Sequence, residues 1–241
     1  MRKTFLYLAL LTVVLASCSK LESNEKKYLE GMQSENYETS SQAFADFCKW
    51  LEEDRETMTY DFNKMREQMG LKIATSANGL LRCYSWSTTF NDTIHLYANV
   101  AQWMAGESFV AFSGPIDKIL THKDRPLAHM IDTIFTIKHG DMDVYLIAQS
   151  YINKYGHRRA YASACIINGP MLSGLPYFFD GTDAAGNSEF IDDGTMPVSK
   201  LFKWDEKNRI FSAFMTDDSL NLIPGQYVEY KLDNERFTRL N

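Results

Sequence analysis

From Leu71 onward the apolar residues stop recurring every three or four positions and begin to alternate. A period of two puts successive side chains on opposite faces of an extended chain, so such a run buries one face as a strand. "LKIATSANGLLRCYSW", residues 71–86, reads as strand, turn, strand. Asn78-Gly79 supplies the turn, because both residues tolerate positive φ. "TIHLYANVAQWMA" and "ESFVAFSG" pair about Gly106, and "IDTIFTIKHG" and "DMDVYLIAQSYINK" pair about Gly140-Asp141. "RRAYASACIING" follows a turn at 154–157, while "KLFKWDEKNRIFSAFM" and "GQYVEYKLDNERFTRL" each hold two strands about a charged turn. Roughly ten to twelve short strands result. The alternation with long helices that marks an α/β enzyme is missing. The expected fold class is mainly β with amino-terminal helices (α+β): an antiparallel β meander or sandwich, with propeller-like hairpins as a variant.

Ahead of the strands the period is helical. Phe44, Phe47, Cys48 and Leu51 form one stripe between Ser41, a candidate cap, and Glu53. Met58, Phe62, Met65 and Met69 repeat the spacing, which predicts a second helix over Asp61–Met69. The methionines read as core packing rather than as a cofactor box or promiscuous groove. These helices, near 41–69, belong with the strands in one domain over 41–241.

The extreme amino end has a different character. Arg2 and Lys3 precede an apolar run from Phe5 to Leu15, too short to span a bilayer of roughly 30 Å. A charged start, a short apolar core and small residues before a break are the pattern of a secretory signal. Here Ala16 and Ser17 lead directly into Cys18. Leu15-Ala16-Ser17-Cys18 resembles the lipobox of bacterial lipoprotein precursors. The resemblance implies removal of residues 1–17, diacylglyceryl transfer to the Cys18 sulfur and acylation, such as palmitate, of the new amino group. Such chains anchor by apolar burial, about 0.8 kcal/mol per CH₂. Residues 18–40, rich in Glu, Lys, Ser and Asn, then read as a lipid-attached tether with nothing core-like in it. The expected address is the cell envelope, outer membrane first, with the membrane as partner through the anchor.

Charge excludes one class of partner. The chain carries 25 Lys and Arg against 31 Asp and Glu, a formal −6, and loss of Arg2 and Lys3 makes it more acidic. Binders of duplex nucleic acid show the opposite balance, so nucleic acid is not an expected partner. Beyond Cys18, three cysteines are widely spaced: Cys48, Cys83 and Cys165. They form no Cys-x-x-Cys pair. Export permits a bridge between Cys83 and Cys165, but separate buried small hydrophobes are the simpler reading.

"SANGLLRCYSWSTT", residues 76–89, carries a second likeness. Ser76, Gly79, Leu81, Arg82, Tyr84, Ser85 and Trp86 match a Ser-x-Asp-Gly-x-Leu-Arg-x-Tyr-Ser-Trp-Asp motif. In this the chain resembles a family of cell-envelope lipoproteins of Bacteroides-like bacteria that has no established activity. Asn78 and Ser87 stand where the motif has acids. Any metal or ligand held by those acids in relatives would lose two carboxylates here.

No His-Glu-x-x-His, Gly-x-Ser-x-Gly, phosphate-loop or dinucleotide motif is present, and His95, His122, His129, His139 and His157 are scattered. Three candidate sites remain. Arg82, Tyr84 and Trp86 share one strand face, an Arg-Tyr-Trp stripe suited to a protein, peptide or glycan ligand. Tyr97, Trp103 and Trp204 widen the aromatic set. His139, Asp141 and Asp143 gather at one turn, where paired carboxylates would serve acid–base chemistry. An exposed hairpin turn is the plainer reading. Asp180, Asp183, Asn187 and Glu189, in "DGTDAAGNSEFIDD", offer oxygen ligands for Ca²⁺, but at positions 1, 4, 8 and 10, unlike an EF-hand loop. A solvated acidic turn is the plainer reading, with no cofactor. Arg158-Arg159 reads as a pair engaged in surface salt bridges. The expected function is a non-enzymatic envelope binding module. The alternatives are a carboxylate hydrolase of envelope or dietary polymer and a purely structural lipoprotein.

Overall fold

The computed structural model describes residues 19–91, 94–113, 130–152, 157–180, 182–191, 197–233 and 236–240. The chain divides into two compact units, one ending at Leu71 and the other running Lys72–Asn241. The helices lie in the first of these units and the strands in the second.

The first unit holds three α-helices: α1 (residues 19–32), α2 (Tyr37–Glu53) and α3 (Asn63–Met69), with a 3₁₀ turn at Arg55–Met58 between the last two. Within residues 18–40, where a tether is expected, α1 buries Leu21, Glu25 and Leu29, and α2 has already begun. Those positions are four apart and share one helix face. The glutamate in their midst is what makes the stretch look polar throughout. Gly31 lets α1 approach α2, since a Cβ there would lie 2.5 Å from the Ala43 Cβ. Asn36, not Ser41, caps α2, its Oδ1 accepting from the Thr39 amide at 3.0 Å. Phe47, Trp50 and Leu51 are buried on α2, and Phe47, Trp50 and Phe62 meet edge to face. Met58 and Met65 are core residues here.

The second unit is built from three antiparallel sheets. The first has the order β1 (Lys72–Thr75), β2 (Leu81–Asn91), β3 (Ile94–Ala105), β4 (Ser108–Ser113). The second runs β5 (Met130–His139), β6 (Met142–Ile152), β7 (Arg158–Asn168), β8 (Met171–Gly174), and β9 (Ala184–Phe190) also pairs with β7. The third is β10 (Phe202–Asp205), β11 (Ile210–Thr216), β12 (Leu222–Leu232), β13 (Phe237–Arg239). Among the described residues no sheet closes into a barrel or a propeller. The hairpins about Gly106 and Gly140-Asp141 fall where the alternation predicts them.

Alternation along β6 and β7 sorts side chains to two cores. Tyr145, Ile147 and Cys165 join Leu81, Cys83, Ala101 and Trp103 of the first sheet. Val144, Leu146, Ala160, Ala162 and Ala164 join Phe202, Phe211, Leu232 and Phe237 of the third. The second sheet is therefore apolar on both faces, which is why its strands read as near-continuous apolar runs. β9 gives no such signal, being "AAGNSEF". Its Gly186, at φ 83°, admits the Phe202 ring, which a Cβ would meet at 2.9 Å.

Cys48, Cys83 and Cys165 are free thiols, the last two fully buried in the same core. Burial pushes the Cys83 thiol up to about 12 and moves the Cys165 thiol in the same direction. Both are thus raised above an unfolded value of about 8.5. Their contribution is whole below that value and is lost as pH rises from there through the folded pKa, by up to about 1.4 kcal/mol per pH unit per thiol. We predict urea midpoints that decline above pH 8.5 and a shallower decline in Cys83→Ala. Equal slopes would show that the thiol does not contribute.

Candidate binding face on the third sheet

Cys18 lies outside the described residues, as do His122, His129 and the side chains of His95 and Tyr97. The other candidates can be placed.

Arg82, Tyr84 and Trp86 do share one face of β2, but that face is covered: they are 4%, 0% and 5% exposed. The Tyr84 hydroxyl donates to Gln102 Oε1 at 2.6 Å, and the Arg82 guanidinium stands 5.4 Å from the Tyr84 ring centre. Burial drives the Tyr84 phenol far above its ordinary value, with Arg82 opposing. The stripe is interior rather than an exposed recognition surface. Trp103 is equally buried and donates from Nε1 to the Gly169 carbonyl at 3.2 Å. The Trp204 ring meets Phe237 edge-on over the core.

The wider motif 76–86 has a structural task throughout. Ser76 Oγ accepts from the Leu81 amide at 2.9 Å and donates to Asn78 Oδ1 at 2.8 Å. Asn78 Nδ2 donates to Asp143 Oδ2 and to the Tyr145 hydroxyl, both at 3.0 Å, while the Ala77 amide donates to Thr136 Oγ1. Ser85 Oγ accepts from the Ile131 amide at 3.1 Å and donates to its carbonyl at 3.3 Å. The turn and β2 thus clasp the first sheet to the second. An acid at 78 would face Asp143. Asn78→Asp is expected to lower stability by about 1 kcal/mol at pH 7. The loss should shrink in high salt, which screens the two carboxylates from each other, and thermal melts at low and high ionic strength test it.

The turn trio does not form an acid–base pair. Asp143 is held by the Lys138 ammonium at 2.6 Å and by Asn78, whereas Asp141 is exposed in the turn. His139 packs edge-on against Phe178. The four oxygen donors do not converge either. Asp183 Oδ1 accepts from the Tyr177 amide, Asn187 Oδ1 accepts from Arg159 Nε at 2.9 Å, and Glu189 lies 3.9 Å from Arg159 Nη1. The Asp180 amide donates to the Phe237 carbonyl. Glu189 stands opposite Arg159 of β7 in the register, and Asn187 bonds to the same arginine. Among the described residues no three His, Cys, Asp or Glu side chains gather to hold a metal.

Arg158 departs from the expected surface pair. It is 4% exposed, donating from Nε and Nη2 to Ser150 Oγ at 3.2 and 3.1 Å, with Asp132 Oδ2 at 3.8 Å. Burial raises the Asp132 carboxyl, and Arg158 and Lys72 oppose it.

Among the described residues each unit has a cavity with a charged lining. In the helical unit a cavity of about 400 Å³ includes Lys20, Lys49, Glu53 and Asp54, but these pair internally, Lys20 with Asp54 at 3.3 Å and Lys49 with Glu53 at 3.5 Å. The other, about 480 Å³, is a shallow groove on the third sheet lined by Lys203, Asp205, Glu206, Ile210, Ser212 and Glu229. Register puts Lys203 opposite Ser212 and Ser212 opposite Glu229, so the three stand in one row on the face away from Phe211 and Trp204. Ser212 is 9% exposed, and its hydroxyl has no hydrogen-bond partner among the described residues. Among the described residues Lys203 has no carboxylate within ion-pair distance, and its Nζ lies 3.9 Å from the Tyr227 ring centre. Among the described residues Glu229 has no cationic partner. No sequence motif announces this row, because its members come from three strands and only the register assembles them.

No protein-family model matches the chain, and no curated protein matches it.

Proposed function

We propose that the chain is an exported, lipid-anchored envelope protein, acylated at Cys18, that binds a polar ligand on the outer face of its third sheet. In this reading the three sheets form a layered sandwich of meanders whose outermost face meets the ligand. The observation that carries the binding half is the Lys203–Ser212–Glu229 row: a serine in the floor of a groove, between an exposed ammonium and an exposed carboxylate that form no ion pair among the described residues. Opposite charges held at a fixed spacing on one sheet face offer a ligand charge complementarity. The address rests on Leu15-Ala16-Ser17-Cys18 and the charged, short apolar run before it. The hydrolase alternative loses support, since Asp143 is committed to Lys138 and Asn78.

Two measurements test the halves separately. Mass analysis of the amino terminus of membrane-extracted protein should find acylated Cys18, and a soluble product beginning elsewhere would remove the anchor. Calorimetry against envelope peptides and oligosaccharides should give binding that Ser212→Val weakens, and identical affinities in the variant would remove the face.

A further inference from the structure

We infer that the row on the third sheet takes a short extended peptide bearing both a free carboxylate and a free ammonium group, the carboxylate on Lys203 and the ammonium on Glu229. This rests on the reading of that face as the ligand surface and names the ligand class. Neighbouring strands lie about 4.8 Å apart, so Lys203 on β10 and Glu229 on β12 stand about 10 Å apart with Ser212 of β11 midway. Among the described residues the two form no ion pair with each other. The lysine instead rests on Tyr227, a contact with no countercharge in it.

Each member of the row lacks one kind of partner. The ammonium lacks an anion, the carboxylate lacks a cation, and the serine hydroxyl lacks a group that donates or accepts. A peptide supplies all three at the right spacing. Its amide both donates and accepts at Ser212. An extended chain rises about 3.3–3.6 Å per residue, so charged side chains two residues apart leave a backbone span of about 7 Å and reach about 10 Å as they splay. A neutral glycan would answer Ser212 and leave both charges unanswered. A peptide of one sign would meet repulsion at one end.

The adjacent row fixes the register. Asp205, Ile210 and Lys231 face one another across the same three strands with the signs reversed. The Asp205 carboxylate is already held by the amide and side chain of Asn208 at 3.0 and 2.7 Å. A ligand displaced by one row meets like charges, which is discrimination by repulsion as well as attraction. Ile210 adds an apolar contact between the charged positions.

The test is calorimetric titration of the full chain with end-blocked tripeptides Glu-Ala-Lys, Lys-Ala-Glu, Glu-Ala-Glu and Gln-Ala-Gln, and with a neutral hexasaccharide. The two mixed-charge peptides should bind, and the others should be weaker by about tenfold or more. Lys203→Ala and Glu229→Ala should each weaken the mixed-charge peptides by about tenfold with unchanged circular dichroism. The double exchange Lys203→Glu with Glu229→Lys should recover binding of both mixed-charge peptides. Equal binding of Gln-Ala-Gln, unchanged affinity in the single variants, or no recovery in the exchange overturns the inference. Binding of the hexasaccharide alone, lost in Ser212→Val, overturns it while leaving the face as a ligand surface. Absence of binding by every compound removes both.

Discussion

Phe237→Ala is expected to cost the second unit about 4 kcal/mol, read as a shift in the urea unfolding free energy. The residue sits in a strand of three, Phe237–Arg239, at the edge of the third sheet, where a substitution would ordinarily be mild. Its ring is nevertheless fully buried. It stacks on Phe179 with centroids 4.9 Å apart and planes 7° apart, and it meets Phe178 and Trp204 edge to face at 5.5 and 5.9 Å. Its backbone is tied as well: the amide donates to the Phe178 carbonyl at 2.8 Å, and the carbonyl accepts from the Asp180 amide at 2.7 Å. Truncation removes the shared member of several aromatic pairs, each worth about 0.5–1.5 kcal/mol beyond its buried area. It also leaves a cavity that a three-residue strand and a loop strained at Asp180, φ 43°, are poorly placed to fill. Phe237→Leu, which keeps most of the volume, should cost about half as much. A loss below about 1 kcal/mol in the alanine variant would mean that β13 and its ring are dispensable to the core.

The contrast between Phe237 and Trp86 shows what alternation reveals and what it hides. A period of two says that two faces exist, and turn residues say where the chain reverses, so β1–β2, β3–β4, β5–β6 and β10–β11 are readable from Leu71 onward. The pattern is silent on whether the second face is wet. Arg82, Tyr84 and Trp86 look like a recognition stripe because arginine seldom lies fully inside, yet all three are covered. Arg158 misleads for the same reason. β9 is hidden by the opposite effect: "AAGNSEF" has the composition of a turn, and it is held as a strand by pairing with β7 and by the space Gly186 leaves for Phe202. The Lys203–Ser212–Glu229 row is unreadable on principle, since linear spacing carries no information about which of three separated residues register will align.

The first unit depends on one buried acid, and Glu25→Ala is expected to destabilise it by about 3 kcal/mol. Glu25 lies on α1 between Leu21 and Leu29 and is 1% exposed. Its Oε2 accepts from the Tyr60 hydroxyl at 2.6 Å, and its Oε1 accepts from the Met65 amide at 2.9 Å. Met65 is the third residue of α3, a position whose amide has no partner inside the helix. The residue that should cap this end is Phe62, held at φ 51° and offering no side-chain acceptor. A carboxylate 40 positions earlier in the sequence therefore does the work of an N-cap, with the favourable sign for a helix amino terminus. Alanine would strand a buried amide and a hydroxyl together, and hydrogen bonds to a charged acceptor are worth about 1.5–3 kcal/mol each. Glu25→Gln keeps an acceptor for Met65 and should lose only about 1 kcal/mol. Tyr60→Phe removes one of the two bonds. The double variant Glu25→Ala with Tyr60→Phe should then lose less than the sum of the singles, because Tyr60 has no stranded hydroxyl left to count. Unfolding followed by far-ultraviolet circular dichroism reads all four. Additive losses, or a Glu25→Ala loss no larger than that of Glu25→Gln, would show that the carboxylate is a tolerated burial rather than the cap that lets α3 form.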